Sequence, residues 1–328
     1  MREGIKDIVF ITIIIIISLL LMSFTIYAKN IETQQSKYDL IVDLKGFGDY
    51  RSIQDAINNA ELGSTIYIKT GEYSEIIDIK KLIYLIGENK DTTIINPISE
   101  ENKYAIRLGA PGSYLSSLTI INGASGLYST GIKISASNTE IYNCNFYDTP
   151  VGLAVWTSGN NIENCFCKGC KDEGIALLGS KNSECIENQI KNCLFYDNCD
   201  GIELQYSSKN KIENCKFYNN THSGIDAIAK LNDNNIILNC EIYNNKVHGI
   251  YLSASSNNQI INCNMANNKD GNIVMNKYSF DNQVINNEKD EKDSFLKLNF
   301  KSLINRLYEK VERLKESRIY SFFNNLNF

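Results

Sequence analysis

This 328-residue sequence has few prolines, few histidines and no excess of basic residues. It contains three prolines and two histidines, and its 33 basic and 38 acidic residues leave a formal net charge of -5. A protein whose main partner is nucleic acid usually presents a basic face, so this balance argues against a nucleic acid partner. Asparagine, which favours turns, is abundant instead. The composition therefore predicts many short strands separated by Asn-containing turns.

An apolar run near the start sets residues 1–28 apart from the rest of the chain. Arg2 and Lys6 precede residues 8–27, which carry no charged side chain. About 20 such residues can cross a bilayer as a helix, and the positive start is expected to stay inside while the remainder is exported. The pattern predicts either a signal anchor or a cleaved signal peptide. The protein is thus expected to be extracytoplasmic, and either anchored in the membrane through residues 8–27 or secreted.

Two short elements recur along the middle of the chain with the same step. Asn-Cys dipeptides follow one another at intervals of 21 to 28 residues, beginning at Asn143, Asn164, Asn192, Asn214, Asn239 and Asn262. With the same period, a glycine precedes an apolar-x-apolar stretch, beginning at Gly131, Gly152, Gly174, Gly201, Gly224 and Gly249. Two sequence elements that recur with the same fixed period are typical of a solenoid. The alternating apolar stretches are too short for helices. The repeat predicts an all-β parallel β-helix with about 22 residues and three strands per coil.

Equivalent residues of successive coils should form ladders, because stacked strands lie about 4.8 Å apart. The repeated asparagines are expected to hydrogen-bond along their own stack at a bend, and the cysteines beside them to point inward as free thiols. Cys170, Cys185 and Cys199 lie off this ladder, which leaves room for one disulfide among them. Cys165, Cys167 and Cys170 have ligand-like spacing, but Cys167 takes an inward place that phenylalanine takes in later coils. No metal site is therefore assigned there.

Both ends of the solenoid are predicted to be covered, because stacked strands leave open edges. Residues 52–60 read as a short amphipathic helix with a serine cap. Apolar residues recur at helical spacing from Phe295 to Leu314, which predicts a helix that either caps the last coil or lies on a membrane surface. The predicted division of the chain is a signal segment, a linker, the β-helix and a C-terminal amphipathic helix or cap, over residues 1–28, 29–38, 39–288 and 289–328.

Chemistry-bearing side chains concentrate in three successive coils, at positions that strand alternation points outward and towards solvent. The candidate catalytic residues are Glu203, Asp226 and His248, and the candidate substrate-binding residues are Asp200, His222, Tyr251, Trp156 and Gln205. Aromatic rings beside carboxylates are what a groove for sugars requires. A polar face that serves only solubility, with Trp156 in a half-buried packing role, is the alternative.

Glu203 and Asp226 occupy equivalent places in neighbouring coils, so their carboxylates are expected to approach to roughly 5 Å. Like charges at that distance raise the pKa of one partner, which suits a general acid beside an ionised group. Such a pair suits glycoside hydrolysis through a covalent intermediate. The same acids together with Asp200 offer oxygen ligands for Ca²⁺, the one cofactor that the pattern suggests.

Two stretches resemble a known superfamily. Residues 43–60, Ile66–Glu75 and Leu85–Gly87 are similar to the opening segments of pectin methylesterases and related pectin-lyase-like proteins. The Asn-Cys repeats over 141–275 resemble the right-handed β-helix repeats of carbohydrate-binding and sugar-hydrolase domains, including NosD-type periplasmic proteins. The resemblance implies a right-handed parallel β-helix. The catalytic Gln-Ala-Val, Gln-Asp-Thr and Asp-Phe-Ile-Phe-Gly elements of pectin methylesterases, and their Arg before Pro-Trp, are missing from the sequence, which argues against that esterase mechanism.

Shorter similarities leave the reaction open. The order of Asp200, Glu203, Asp226 and His248, each next to or near a Gly-Ile pair, resembles acidic and Gly-His-Gly elements of polygalacturonase-type hydrolases. The set also resembles the Asp, His and Tyr of β-helix uronate epimerases and lyases, where His248 and Tyr251 would transfer protons. The expected function is binding, and cleavage or modification, of a polysaccharide or cell-envelope glycan. The alternatives are a non-enzymatic structural or adhesive surface protein and a NosD-like accessory protein.

Overall fold

The chain folds as a right-handed parallel β-helix, as the repeat predicts. The computed structural model describes residues 13–26, 37–97, 103–124, 126 and 129–287. Across these residues 29 short strands form three parallel sheets, and from β2 to β28 each coil of the solenoid gives one strand to each sheet in turn. Parallel pairing joins each strand to the strand one coil away, so the sheets run along the length of the solenoid.

Sheet 1 has eleven strands and contains the stretch that precedes each Asn-Cys dipeptide. Its strands are β1 (Leu40–Val42), β2 (Thr65–Ile68), β5 (Tyr84–Gly87), β8 (Tyr114–Ser116), β11 (Glu140–Tyr142), β14 (Asn161–Glu163), β17 (Gln189–Lys191), β20 (Lys211–Glu213), β23 (Ile236–Leu238), β26 (Gln259–Ile261) and β29 (Gln283–Ile285).

Sheet 2 has nine strands and contains the stretch that follows each dipeptide. Its strands are β3 (Gly71–Tyr73), β6 (Thr93–Ile95), β9 (Thr119–Ile121), β12 (Asn145–Tyr147), β15 (Phe166–Lys168), β18 (Leu194–Tyr196), β21 (Lys216–Tyr218), β24 (Glu241–Tyr243) and β27 (Asn264–Ala266).

Sheet 3 also has nine strands and contains the Gly-apolar-x-apolar stretches. Its strands are β4 (Ile77–Ile79), β7 (Tyr104–Leu108), β10 (Thr130–Ile134), β13 (Val151–Val155), β16 (Glu173–Leu178), β19 (Asp200–Gln205), β22 (Ile225–Ala227), β25 (Ile250–Leu252) and β28 (Ile273–Met275). The candidate site residues lie on and beside this sheet.

The interior of the solenoid is a stack of identical or similar apolar residues. Ile190 pairs with Ile212 in sheet 1, and Phe195 pairs with Phe217 in sheet 2, where the two rings stack at 4.8 Å. The cysteines of the repeated dipeptides are buried free thiols, as predicted, namely Cys144, Cys165, Cys193, Cys215, Cys240 and Cys263. Burial of these side chains is the main favourable contribution to stability, because each removes apolar surface from water.

Asparagine makes the bends of the coils. The asparagine of each repeated dipeptide has a positive φ, between 53° and 56°. Asparagine tolerates this left-handed conformation better than most residues. Side-chain amides then bond along the stack, from Asn214 Nδ2 to Asn192 Oδ1 and from Asn262 Nδ2 to Asn239 Oδ1, each at 3.3 Å. The predicted ladder is therefore present at these pairs.

Two further asparagine ladders are buried, and the dipeptide pattern does not reveal them. One lies before sheet 1 and consists of Asn160, Asn188, Asn210, Asn235 and Asn258. Its members bond amide to amide, for example from Asn188 Nδ2 to Asn210 Oδ1 at 3.0 Å, and each accepts a backbone N–H from the preceding coil. The other lies after sheet 2 and consists of Asn198, Asn220, Asn245 and Asn268. The buried amides of these two ladders are thus paired, as a stable interior requires.

The front of the solenoid is capped as predicted. Helix α2 covers Ile53–Asn59, and Ser52 caps it by accepting a hydrogen bond from the Asp55 N–H. Ile53 and Ile57 are buried against the first coil. Because the predicted C-terminal helix or cap over 289–328 lies outside the described residues, that prediction stands untested.

An apolar helix, α1, covers residues 13–26 near the start of the chain. All its large apolar side chains are exposed. Among the described residues, however, no helix is long and apolar enough to cross a bilayer. The remainder of the predicted segment 8–27 lies outside the described residues, so the membrane span and the linker over 29–38 stay predictions.

Cys170 and Cys185 are free thiols, so the disulfide allowed among these two residues and Cys199 is absent. Cys170 lies against Thr149 Oγ1 at 3.3 Å, and Cys185 lies against Asn188 Nδ2 at 3.4 Å. Each of these two thiols therefore has a polar partner rather than another sulfur. Cys167 pairs in register with Phe195, which confirms its inward place in the core.

Candidate functional site

The outward residues of sheet 3 line up as the repeat predicts. Glu203 in β19 pairs in register with Asp226 in β22, and Asp226 pairs with Tyr251 in β25. Three residues before Glu203, Asp200 pairs in register with Glu173 of the preceding coil. We use the name outer face for the side chains of sheet 3 that point away from the solenoid interior, from β13 to β25. The structure therefore brings most of the predicted site residues onto one surface.

The expectation that these side chains face solvent is wrong. Glu203 and Asp226 are each only 2% exposed, and Asp200, His248 and Tyr251 are also buried. A side chain that points away from the interior of a coil need not be exposed, because neighbouring coils lie only about 4.8 Å apart. Large side chains of one coil then pack over those of the next. The rings of His222 and His248, whose centres lie 6.3 Å apart, are one such contact between coils. Within one coil, the rings of His248 and Tyr251 stack at 4.9 Å.

Two carboxylates and an imidazole converge at the centre of the outer face. His222 Nδ1 lies 2.8 Å from Asp200 Oδ1 and 3.4 Å from Asp226 Oδ2. The His222 side chain is 32% exposed, whereas those of Asp200 and Asp226 are 3% and 2% exposed. We call these three residues the Asp-His-Asp trio. The trio joins a strand end of β19, the turn before β22 and β22 itself.

Ser223 connects the trio to the second histidine. Its backbone N–H donates to Asp200 Oδ1 at 2.8 Å. Its hydroxyl lies 3.4 Å from His222 Nδ1 and 3.5 Å from His248 Nδ1. Ser223 is not recognisable as a site residue from the sequence, because a serine before a glycine is an ordinary turn residue. Its position in the same column as Asp200 and His248 is the signal that identifies it.

Glu203 stands apart from the trio although it neighbours Asp226 in register. Its Oε1 accepts a hydrogen bond from Gln205 Nε2 at 2.6 Å. Gln205 therefore orients a predicted catalytic carboxylate, in addition to its predicted contact with substrate. Glu173 is a further buried carboxylate in the column of Asp200, and the sequence analysis did not select it.

Trp156 lies two coils away from the trio, beside an apolar part of the outer face. Its side chain is 37% exposed, and Lys133 Nζ lies 6.0 Å from its ring centre. Between Trp156 and the carboxylates is a small apolar cluster outside the main core, made of Val151, Ala154 and Ala176 with Leu178 packed against it. The outer face thus has an apolar, aromatic end and an acidic, imidazole-containing end.

The ligand atoms that the trio offers indicate which kind of metal ion these residues could hold. Asp200, His222 and Asp226 each offer one ligand atom, and these atoms lie within 4.8 Å of one another; no other such group occurs among the described residues. Glu203, which the sequence analysis placed with the acids, is outside this group. Ca²⁺ takes six to eight oxygen ligands, whereas imidazole nitrogen suits transition metals. The geometry therefore fits a transition metal better than Ca²⁺.

The repeat architecture agrees with a known family. The family model described as the right handed beta helix region matches residues 81–230 and 130–289, and the chain belongs to that family. This match shows the right-handed β-helix that the repeats resemble.

Curated relatives are plant pectinesterases that match part of the chain. "Probable pectinesterase/pectinesterase inhibitor 44" of Arabidopsis thaliana is 40% identical over 75 residues, which is 21% of this chain and 14% of that protein. The pectinesterase of Petunia integrifolia is 28% identical over 166 residues, 44% of this chain and 43% of that protein. The chain therefore spans less than half the length of these two relatives.

Solved structures of the same fold act on different glycans. The A-module of the mannuronan C-5 epimerase AlgE4 of Azotobacter vinelandii has a TM-score of 0.60 at 18% identity, covering 72% of this chain and 71% of that one. Pectate lyase Pel9A has a TM-score of 0.53 at 15% identity, covering 76% of each chain. At these identities the likeness establishes the fold.

Proposed function

We propose that this protein is an extracytoplasmic enzyme that binds a polysaccharide along the outer face of sheet 3 and modifies it by acid–base chemistry. The observation that carries the proposal is the concentration of shielded carboxylates and both histidines of the chain on one face. Titratable groups gathered in this way are more typical of a reaction site than of a surface that serves solubility. The glycan-acting proteins of similar fold support the same reading.

Asp226 is the residue to which we assign the central acid–base role. It contacts His222, stands in register with Glu203, and stands in register with Tyr251 on the other side. A carboxylate pair in adjacent coils suits glycosidic bond cleavage. The neighbouring His248 and Tyr251 suit transfer of a proton to or from a sugar carbon or oxygen.

The apolar end of the outer face is the proposed place for sugar rings. Trp156 presents an aromatic surface that is 37% exposed, and Leu178 and the alanines beside it are apolar. Aromatic rings with one wet side are common where proteins bind amphipathic partners. A glycan lying from Trp156 towards Asp226 would run along the solenoid, in the direction in which coils repeat.

The proposal favours an enzyme over a structural or adhesive protein because the central carboxylates of the outer face are shielded. The insertion in the longest coil begins at the margin of this face. Gly179 opens that insertion and donates its N–H to Gln205 O at 2.8 Å, and Ser180 bridges to Ser183 across it. A flat face with exposed polar side chains would suit a scaffold better.

The extracytoplasmic location rests on the start of the chain. The large apolar side chains of α1 are exposed, for example that of Leu20 at 63%. A helix with this surface requires either an apolar environment such as a bilayer or cleavage from the rest of the chain. Export through residues 8–27, with or without cleavage, explains both this surface and a glycan partner outside the cell.

The first test compares the full chain, purified in detergent, with its Asp226→Asn variant. Both are incubated with uronic-acid and neutral polysaccharides, and new reducing ends, unsaturated uronates and changes in sugar configuration are followed. We expect product from the wild type and a loss of about 100-fold or more in the variant, as for removal of a general acid or base. Asp281→Asn is the matched control, because Asp281 is exposed in the bend before β29, which belongs to sheet 1.

The products identify the reaction class. Reducing ends without unsaturation indicate a hydrolase, unsaturated uronates a lyase, and an altered configuration without new ends an epimerase. Equal activity of wild type and Asp226→Asn would place the site elsewhere. No product from any glycan, combined with glycan binding, would favour the adhesive alternative, and absence of both would favour a structural or NosD-like accessory role.

A further inference from the structure

The Asp-His-Asp trio has the spacing of ligands around one metal ion. Nitrogen and carboxylate ligands lie about 2.1 Å from a zinc-class ion, so neighbouring ligands stand roughly 2.9 to 3.4 Å apart in octahedral or tetrahedral geometry. The trio shows 2.8 Å between His222 Nδ1 and Asp200 Oδ1, and 3.4 Å between His222 Nδ1 and Asp226 Oδ2. Its three donor atoms lie within 4.8 Å of one another.

We propose that Asp200, His222 and Asp226 form a binding site for a divalent transition metal ion of the zinc class. Two carboxylate oxygens and one imidazole nitrogen are a mixed donor set that suits Zn²⁺ and its neighbours. Three protein ligands leave at least one position for water or another small ligand. The site shares Asp226 and His222 with the proposed glycan chemistry but can be tested independently of it, because the ion is recognised by these three side chains alone.

The surroundings of the trio are those of an organised site. The backbone N–H of Ser223 donates to Asp200 Oδ1 at 2.8 Å and so orients the first carboxylate. Outer contacts of this kind hold ligands in place and raise metal affinity. The two carboxylates are shielded from water, which strengthens their attraction for a cation. His222 is 32% exposed and marks the side from which an ion can enter.

The competing explanation is a hydrogen-bonded group without metal. In that case the His222 Nδ1–H donates to Asp200, as a distance of 2.8 Å allows, and the three side chains bind only a proton. A histidine and two acids at these distances fit both explanations. Metal titration separates them, because only the first predicts saturable binding of a divalent ion.

The test uses the full chain, freed of metal with a chelator, and titrates it with Co²⁺ as a spectroscopic substitute for Zn²⁺. We expect a single ion per chain, d–d absorption bands, and no thiolate charge-transfer band. His222→Gln should weaken binding by at least about 100-fold, because it removes a direct ligand. His248→Gln is the matched control: it replaces the only other histidine of the chain, which lies outside the trio, and should leave affinity within about threefold.

Thermal unfolding gives a second readout. Zn²⁺ that binds only the folded state should raise the Tm of the wild type and of His248→Gln, but not of His222→Gln. The metal-free variants should unfold at similar temperatures, which shows that lost binding does not reflect lost folding. A Cys199→Ser variant removes the only cysteine that is not buried, and should retain the Co²⁺ spectrum.

Three results would overturn the metal site. They are the absence of Co²⁺ and Zn²⁺ binding by the wild type at millimolar concentration, undiminished binding by His222→Gln, and a spectrum dominated by thiolate ligands. Binding is measured without glycan, so it is distinguishable from the enzymatic proposal. A metal site in a protein without glycan activity would leave this inference standing and refute the other.

Discussion

At the scale of single residues, burial determines the chemistry of two thiols that lie off the repeated dipeptides, Cys170 and Cys185. Cys170 is a free thiol with Thr149 as its neighbour, and burial raises its pKa from an ordinary value near 9 to about 12. Burial likewise raises the pKa of Cys185. Thiols of this kind are poor nucleophiles and poor metal ligands at neutral pH, because the thiolate is the reactive form.

Cys170 should make stability fall in alkaline solution. Its pKa is higher in the folded than in the unfolded chain, so its contribution is fully present below about pH 9 and is lost as the pH rises towards about 12. Between pH 8 and pH 10, the free energy of unfolding of Cys170→Ala should fall by about 1.4 kcal/mol less than that of the wild type. Denaturant unfolding at the two pH values measures this. Equal losses would mean that the folded chain admits the thiolate at this position.

At the scale of elements, the site depends on how closely successive strands of sheet 3 approach. A Cβ placed on Gly201 would lie 2.5 Å from Gly224 O and 2.5 Å from Phe217 Cδ1. The glycine before each apolar-x-apolar stretch is therefore required by the stacking of one coil on the next. This close stacking also brings Asp200 and Glu203 beside His222 and Asp226.

Gly201→Ala should disturb this stacking severely. The added methyl meets backbone on one side and a buried ring on the other, so we expect a loss of about 3 kcal/mol in the free energy of unfolding. Gly123→Ala is the matched control, because a Cβ there meets nothing within 4 Å. Its effect should be within about 0.5 kcal/mol. Similar stabilities of the two variants in denaturant would show that the coils can separate locally without cost.

At the scale of the whole molecule, the chain combines a self-contained solenoid with an apolar start that the solenoid does not cover. The strands run from Leu40 to Ile285, and α2 covers their first coil. Exposed apolar side chains occur on both parts, for example Leu20 in α1 and Leu62 in a loop after α2, at 63% and 75% exposure. Only the first belongs to a continuous apolar helix.

Leu20→Arg should therefore impair export, whereas Leu62→Arg should not. A charge in the centre of a membrane-inserting segment costs about 2.5 to 3.5 kcal/mol, while a charge on an exposed loop costs little. Protease accessibility of the full chain in intact cells measures export. We expect the wild type and Leu62→Arg to be accessible and Leu20→Arg to be retained inside. Identical accessibility of all three proteins would refute export through residues 8–27.

The sequence by itself determined the fold, the strand register and the front cap, because these depend on a local period. Side chains that recur in every coil must stack. The repeat period alone therefore identifies Glu203, Asp226 and Tyr251 as neighbours. The tertiary structure decided which outward residues are shielded, which carboxylate His222 contacts, and that Glu203 stands apart with Gln205. These features depend on side-chain directions and on packing between coils, which a repeat pattern does not encode.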